Sequence, residues 1–159
     1  MDEVIIARAL HVLAVVLWIG GVAFVTTVLL PAVRRLKAPE ERLELFNAIE
    51  RRFAWQARAT TLLTGLTGLD MLIRFDLWNR FFSLSYWWMH AMVLTWFIFT
   101  VMLFVAEPLI LHRRLILRAK VDPEATFRRV QRLHWLLLTL SLITVVGAVA
   151  GSHGLLLFK

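Results

Sequence analysis

The chain has 159 residues, a formal net charge of +7, no cysteine and a mean hydropathy of +0.73. Sixty per cent of its residues are hydrophobic, more than the roughly half found in a soluble domain. The lack of cysteine excludes disulfides, thiolate ligands and covalently attached c-type haem; no nucleophile motif, phosphate loop or HExxH element points to a hydrolase or a nucleotide-binding enzyme.

Four apolar runs, about 4–33, 54–75, 86–111 and 134–158, fill most of the chain. Each can cross a hydrocarbon core of roughly 30 Å, which takes ~20 helical residues. The pattern predicts an all-α integral membrane four-helix bundle, with residues 1–159 as a single transmembrane domain. The first run is longer than a signal-peptide core and has neither a basic leader nor a small-residue cleavage site, so it is expected to stay as a span. It carries His11, Arg8 one turn above it on the same face, Trp18 two turns below it, and the pair Gly20 and Gly21.

In the first long connection Pro39 opens a helix with Glu40 in its first turn, where proline and an acidic residue are both favourable. Leu43, Phe46, Ile49 or Glu50, and Phe53 fall near one face, which predicts a helix lying on the membrane surface before the second span. The second run has Thr60, Thr64 and Gly68 at four-residue spacing, with Thr61 and Gly65 beside them. Such small residues let helices approach closely; they would also suit the wall of a flat cofactor. Asp70 and Arg74 are spaced for an ion pair, with Asp70 orienting a histidine or relaying a proton as the alternative. The short outer connection holds Trp78, Phe81, Phe82, Tyr86, Trp87 and Trp88, an interfacial aromatic belt or the walls of a cofactor or quinone site.

The third run opens with Met89-His90-Ala91-Met92 and ends with Glu107, Pro108 and His112. Glu107 is placed to cap the backbone freed by the proline or to take part in proton movement. The second long connection, Lys120-Val121-Asp122-Pro123-Glu124 with Phe127 and Arg128-Arg129, parallels Lys37-Ala38-Pro39-Glu40 with Phe46 and Arg51-Arg52. The parallel suggests two helical hairpins, and Asp122 is a natural N-cap. The fourth run begins at His134 and carries Gly147, Gly151, His153 and Gly154.

Of the eighteen lysines and arginines, fourteen fall in the two long connections or, as Arg58, just beyond one, and Arg8, Arg74, Arg80 and Lys159 remain for the opposite face. The positive-inside rule then places those connections in the cytoplasm and both termini on the other side. The basic excess is accounted for by topology and anionic headgroups, so no nucleic acid is expected. At ~1.5 Å of rise per residue, His11, His90 and His153 reach one outer layer. Ionisable groups in membrane helices mark function, and neutral imidazoles on facing helices suit a low-spin haem iron. His11 and His90 are the first choice of axial ligands, His153 the further candidate, and Arg8 and Arg74 would meet the propionates. Trp18 would pack on the cofactor. His112 and His134, at the cytoplasmic boundary, form a possible second site. A competing set of Met89, His90, Met92 and Met71 suits copper(I).

The string Leu10-His11-Val12-Leu13-Ala14-Val15-Val16-Leu17-Trp18-Ile19-Gly20-Gly21, followed by Pro31, Arg51-Arg52-Phe53 and Leu63-Thr64-Gly65-Leu66, resembles the CopD copper-resistance family over about the first 75 residues. The early histidine and four spans are also similar to HemJ-type haem-associated membrane proteins. These resemblances imply a bacterial inner-membrane protein handling copper or haem, with His11 the residue carried over. Three readings follow: a haem b protein moving electrons, as a membrane oxidoreductase would; a copper-binding or transport protein; and a non-catalytic membrane subunit. Expected partners are the lipid bilayer, a quinone or redox partner protein, and a second copy of the chain.

Overall fold

The computed structural model describes residues 2–111 and 117–155, and every regular element among them is helical. Helix α1 runs Asp2–Leu36. It is α-helical to Phe24, widens to a π-helical turn over Val25–Leu29, and resumes at Leu30 ahead of Pro31. The chain then extends through Lys37 and Ala38, because Pro39 disfavours a helical residue before it. Helix α2 runs Pro39–Arg74 without a break. Two short 3₁₀ turns, Leu77–Phe82 and Leu84–Tyr86, lead to α3, Trp87–Val101, which continues as a π-helix over Met102–Leu111. Helix α4 runs Pro123–Ser152, and the Asp122 carboxylate accepts the Ala125 N–H at 2.8 Å as its N-cap.

Among the described residues three helices are long and apolar enough to cross a membrane: Asp2–Leu36, Leu84–Leu109 and Pro123–Ser152. Helix α2 is longer still, but Arg58, Asp70, Arg74 and four threonines dilute its apolar stretch.

The surface helix expected before the second span is instead the first half of α2. No glycine lies between Pro39 and Gly65 to interrupt it. Its apolar face is not laid on lipid either. Leu43 and Phe46 are buried with Val25, Leu30 and Val33 of α1 and with Phe127 and Val130 of α4. The two phenylalanines that the parallel connections share, Phe46 and Phe127, thus meet in one cluster.

Helices α1 and α2 pack antiparallel. His11 sits on Gly68, Phe53 fills the space over Gly21, and Glu3 reaches Arg74. The buried and half-buried positions Ala7, His11, Ala14 and Trp18 of α1 and Ala54, Ala57, Thr61, Thr64 and Gly68 of α2 each fall on one helix face. The alternating steps of three and four are those of a close-packed antiparallel pair, and the small side chains bring the backbones together. Helices α3 and α4 pair likewise, Trp87 over Gly147, Trp88 over Gly151, and Thr95 hydrogen-bonded to Thr144 at 2.9 Å. A second cluster, Trp18, Ile19, Val22, Phe99, Leu137 and Leu138, joins the two pairs.

Candidate functional site

His11 is half-buried between α1 and α2. Its Nδ1 lies 3.0 Å from the Thr67 hydroxyl oxygen, and that hydroxyl donates to the Leu63 carbonyl at 2.6 Å. A hydroxyl has one proton. With it committed to Leu63, the imidazole is the donor in the contact with Thr67. His11 therefore carries its proton on Nδ1, which leaves the Nε2 lone pair for a ligand. A fixed second hydrogen bond of this kind orients and tunes metal-binding histidines.

The other histidines are engaged with backbone. His90 is exposed; its Nε2 donates to the Phe81 carbonyl at 3.0 Å, and its ring meets Phe81 edge-on at 5.3 Å. His153 follows the end of α4, exposed, with Nδ1 donating to the Val149 carbonyl at 2.8 Å. His134 donates from Nδ1 to the Val130 carbonyl at 2.9 Å and packs edge-on against Phe46 at 5.6 Å. His112 lies outside the described residues. Among the described residues no three His, Asp or Glu side chains gather as a metal site. Met89 is buried and Met92 is half-buried.

The cations expected at the outer face have protein partners of their own. Arg74 donates from Nε to Asp70 and from a terminal nitrogen to Glu3, both at 2.7 Å, so the ion pair read from spacing exists and is extended to α1. Arg8 stacks over Phe75 at 5.7 Å, and Arg80 over Tyr86 at 5.0 Å. Trp18 is buried and edge-on to Phe99 at 4.8 Å. Its indole N–H, like the Thr61 hydroxyl, finds no hydrogen-bond partner among the described residues. Buried polar atoms are nearly always paired, so these two stand out within the bundle. The small-residue positions accept rings of this same chain: Trp96 lies over Gly65 and donates its N–H to the Thr61 carbonyl at 2.9 Å.

A charged cluster at the other end was not assembled from the sequence. Arg58 donates from Nε to the Leu103 carbonyl at 3.0 Å and pairs with Glu107 at 2.5 Å. In a π-helical register the N–H of residue 108 would serve the carbonyl of residue 103. Pro108 has none, and Arg58 takes its place. The capping task assigned to Glu107 therefore belongs to Arg58, which Glu107 holds. Glu50 lies nearby on α2. Burial, and then the Glu107 charge, push its carboxyl up to about 7.

No protein-family model, no curated protein and no solved structure matches the chain.

Proposed function

We propose that the chain is a four-span protein of the bacterial inner membrane, with both termini outside, that binds haem b through His11 and takes part in electron transfer with a quinone or a redox partner protein. The fixed proton on His11 Nδ1 carries this reading, because it presents Nε2 as an iron ligand. The buried Trp18 N–H, which has no partner among the described residues, supports it. So does the resemblance of about the first 75 residues to the CopD family, and the similarity of the early histidine and four spans to HemJ-type proteins.

The donor set fits the group in part. His11 is ready as it stands, whereas His90 or His153 would first leave the carbonyl of Phe81 or Val149. When bound, haem supplies one-electron chemistry. The chain's own part is to orient the His11 ring through Thr67 and to keep water from the buried Trp18.

Pairing along the full length of α1 supports membrane crossing by α2. Its charges have partners within the bundle, Arg58 with Glu107 and Arg74 with Asp70.

Absorption spectra of detergent-purified protein, oxidised and dithionite-reduced, test the cofactor. The expected result is a b-type spectrum that is lost in His11→Ala and retained in His134→Ala, with both variants eluting as folded protein. Retention in His11→Ala rejects the site. A folded, colourless wild-type protein from haem-replete cells rejects haem, and copper bound by that protein would establish the alternative metal.

A further inference from the structure

At the basic end of the bundle the last turns of α1, the first turn of α2 and the start of α4 enclose a groove of about 460 Å³, lined by Pro31, Arg34, Arg35, Arg42, Glu124 and Gln131. Among the described residues its chemistry is set by one carboxylate shared among several cations. Glu124 pairs with Arg42 and lies 3.6 Å from each of Arg34 and Arg128. A single carboxylate cannot neutralise three guanidinium groups, and Arg35 adds a fourth positive charge to the same wall. Arg42 is held in place from two sides, because its Nε also donates to the Lys37 carbonyl at 2.9 Å. Its side chain is only 13% exposed, so the floor of the groove is preorganised. Arg34 and Arg35 form an exposed rim.

The groove sits where the apolar runs stop. Val33 precedes its rim on α1, and Leu133 follows its wall on α4. That is the level of lipid phosphates beside a membrane-spanning helix. Guanidinium groups bind phosphate through paired, planar hydrogen bonds. The Gln131 amide offers a further donor to an ester or hydroxyl oxygen.

We propose that this groove binds the phosphate of an anionic phospholipid headgroup and so clamps α1, α2 and α4 at their basic ends. Glu124 keeps Arg42 aimed while leaving the wall net positive. The site is independent of any cofactor at His11.

Native mass spectrometry of the full detergent-solubilised chain tests it, with phosphatidylglycerol and phosphatidylcholine as probes. Retention of phosphatidylglycerol is expected to exceed that of phosphatidylcholine about tenfold, given the attraction of each basic residue for an anionic surface. The double variant Arg34→Gln/Arg35→Gln, changed only at the exposed rim, should lose that preference. Arg80→Gln, which removes a charge at the other end, should keep it. Millimolar inorganic phosphate should not displace the lipid. Equal retention of the two lipids overturns the proposal, as does a preference that survives the double variant or falls as far in Arg80→Gln. Displacement by inorganic phosphate would assign the groove to a free anion and overturn the lipid assignment.

Discussion

Arg58 does two things with one side chain. It neutralises Glu107 and replaces the N–H that Pro108 lacks. Arg58→Met should destabilise the protein by about 3 kcal/mol, near the low end for breaking one side of a buried pair. Adding Glu107→Gln should recover only part of this, since the Leu103 carbonyl stays bare. Adding Pro108→Ala as well restores a backbone donor, and thermal unfolding in detergent should show the triple variant closest to wild type. Glu50 gives a second residue-scale prediction. Its folded-state value of about 7 lies above the ordinary 4.5. The fold therefore favours the protonated acid, and that stability is full below about pH 4.5 and is lost as pH rises through 7. By linkage the loss is on the order of 3 kcal/mol. Glu50→Gln should flatten the pH dependence of the melting temperature between 5 and 8 and raise stability at pH 8. An unchanged slope would show that Glu50 is ionised at neutral pH. In the sequence Pro108 already signalled a freed backbone group. Arg58 was hidden because it reads as one more basic residue of a connection; only the unbroken course of α2 carries it to Leu103.

At the scale of elements, glycine positions separate packing from propensity. Gly20 and Gly21 are adjacent, yet a Cβ on Gly20 would meet nothing within 4 Å, while one on Gly21 would lie 2.1 Å from the Phe53 ring. Gly20→Ala should raise helix stability by up to about 1 kcal/mol. Gly21→Ala should lower it by about 1–3 kcal/mol, the usual cost of overpacking, read as melting temperature and folded yield. Gly151→Ala meets the Trp88 ring at 2.3 Å and should behave like Gly21→Ala. The small-residue stripe of α2 was legible in the sequence as a surface for close approach. What fills it was not. Spacing along one helix says nothing of which turn of its neighbour lies opposite, and here the occupants are Trp96 over Gly65 and His11 over Gly68. The same limit applies to the outer histidines. Depth along the axis can be read from sequence, but the direction in which His90 and His153 leave their helices is decided by the carbonyls of Phe81 and Val149.

For the whole molecule the open question of topology turns on α2. Among the described residues three helices have the length and hydropathy to cross on their own. Helix α2 is more polar, but its contacts with α1 run from Phe53 to Arg74, so a crossing α1 would carry it through the same depth. On such a crossing two of its charged groups, Arg58 and Asp70, would enter the bilayer as members of ion pairs, which would reduce the cost of burying each. The cysteine-free sequence allows a direct test with single cysteines at Lys37, Asn79 and Lys120, each probed in intact cells with a membrane-impermeant maleimide. Four crossings put Asn79 on the side opposite to both Lys37 and Lys120. Three crossings, with α2 left on the inner surface, would put Asn79 with Lys37 and Lys120 opposite. The positive-inside rule adds the orientation: Asn79→Cys should label from outside, and Lys37→Cys and Lys120→Cys only after permeabilisation. Labelling of Lys120→Cys but not Asn79→Cys would remove α2 from the membrane. It would also separate His11 and His90 from the common outer layer on which a two-imidazole haem depends.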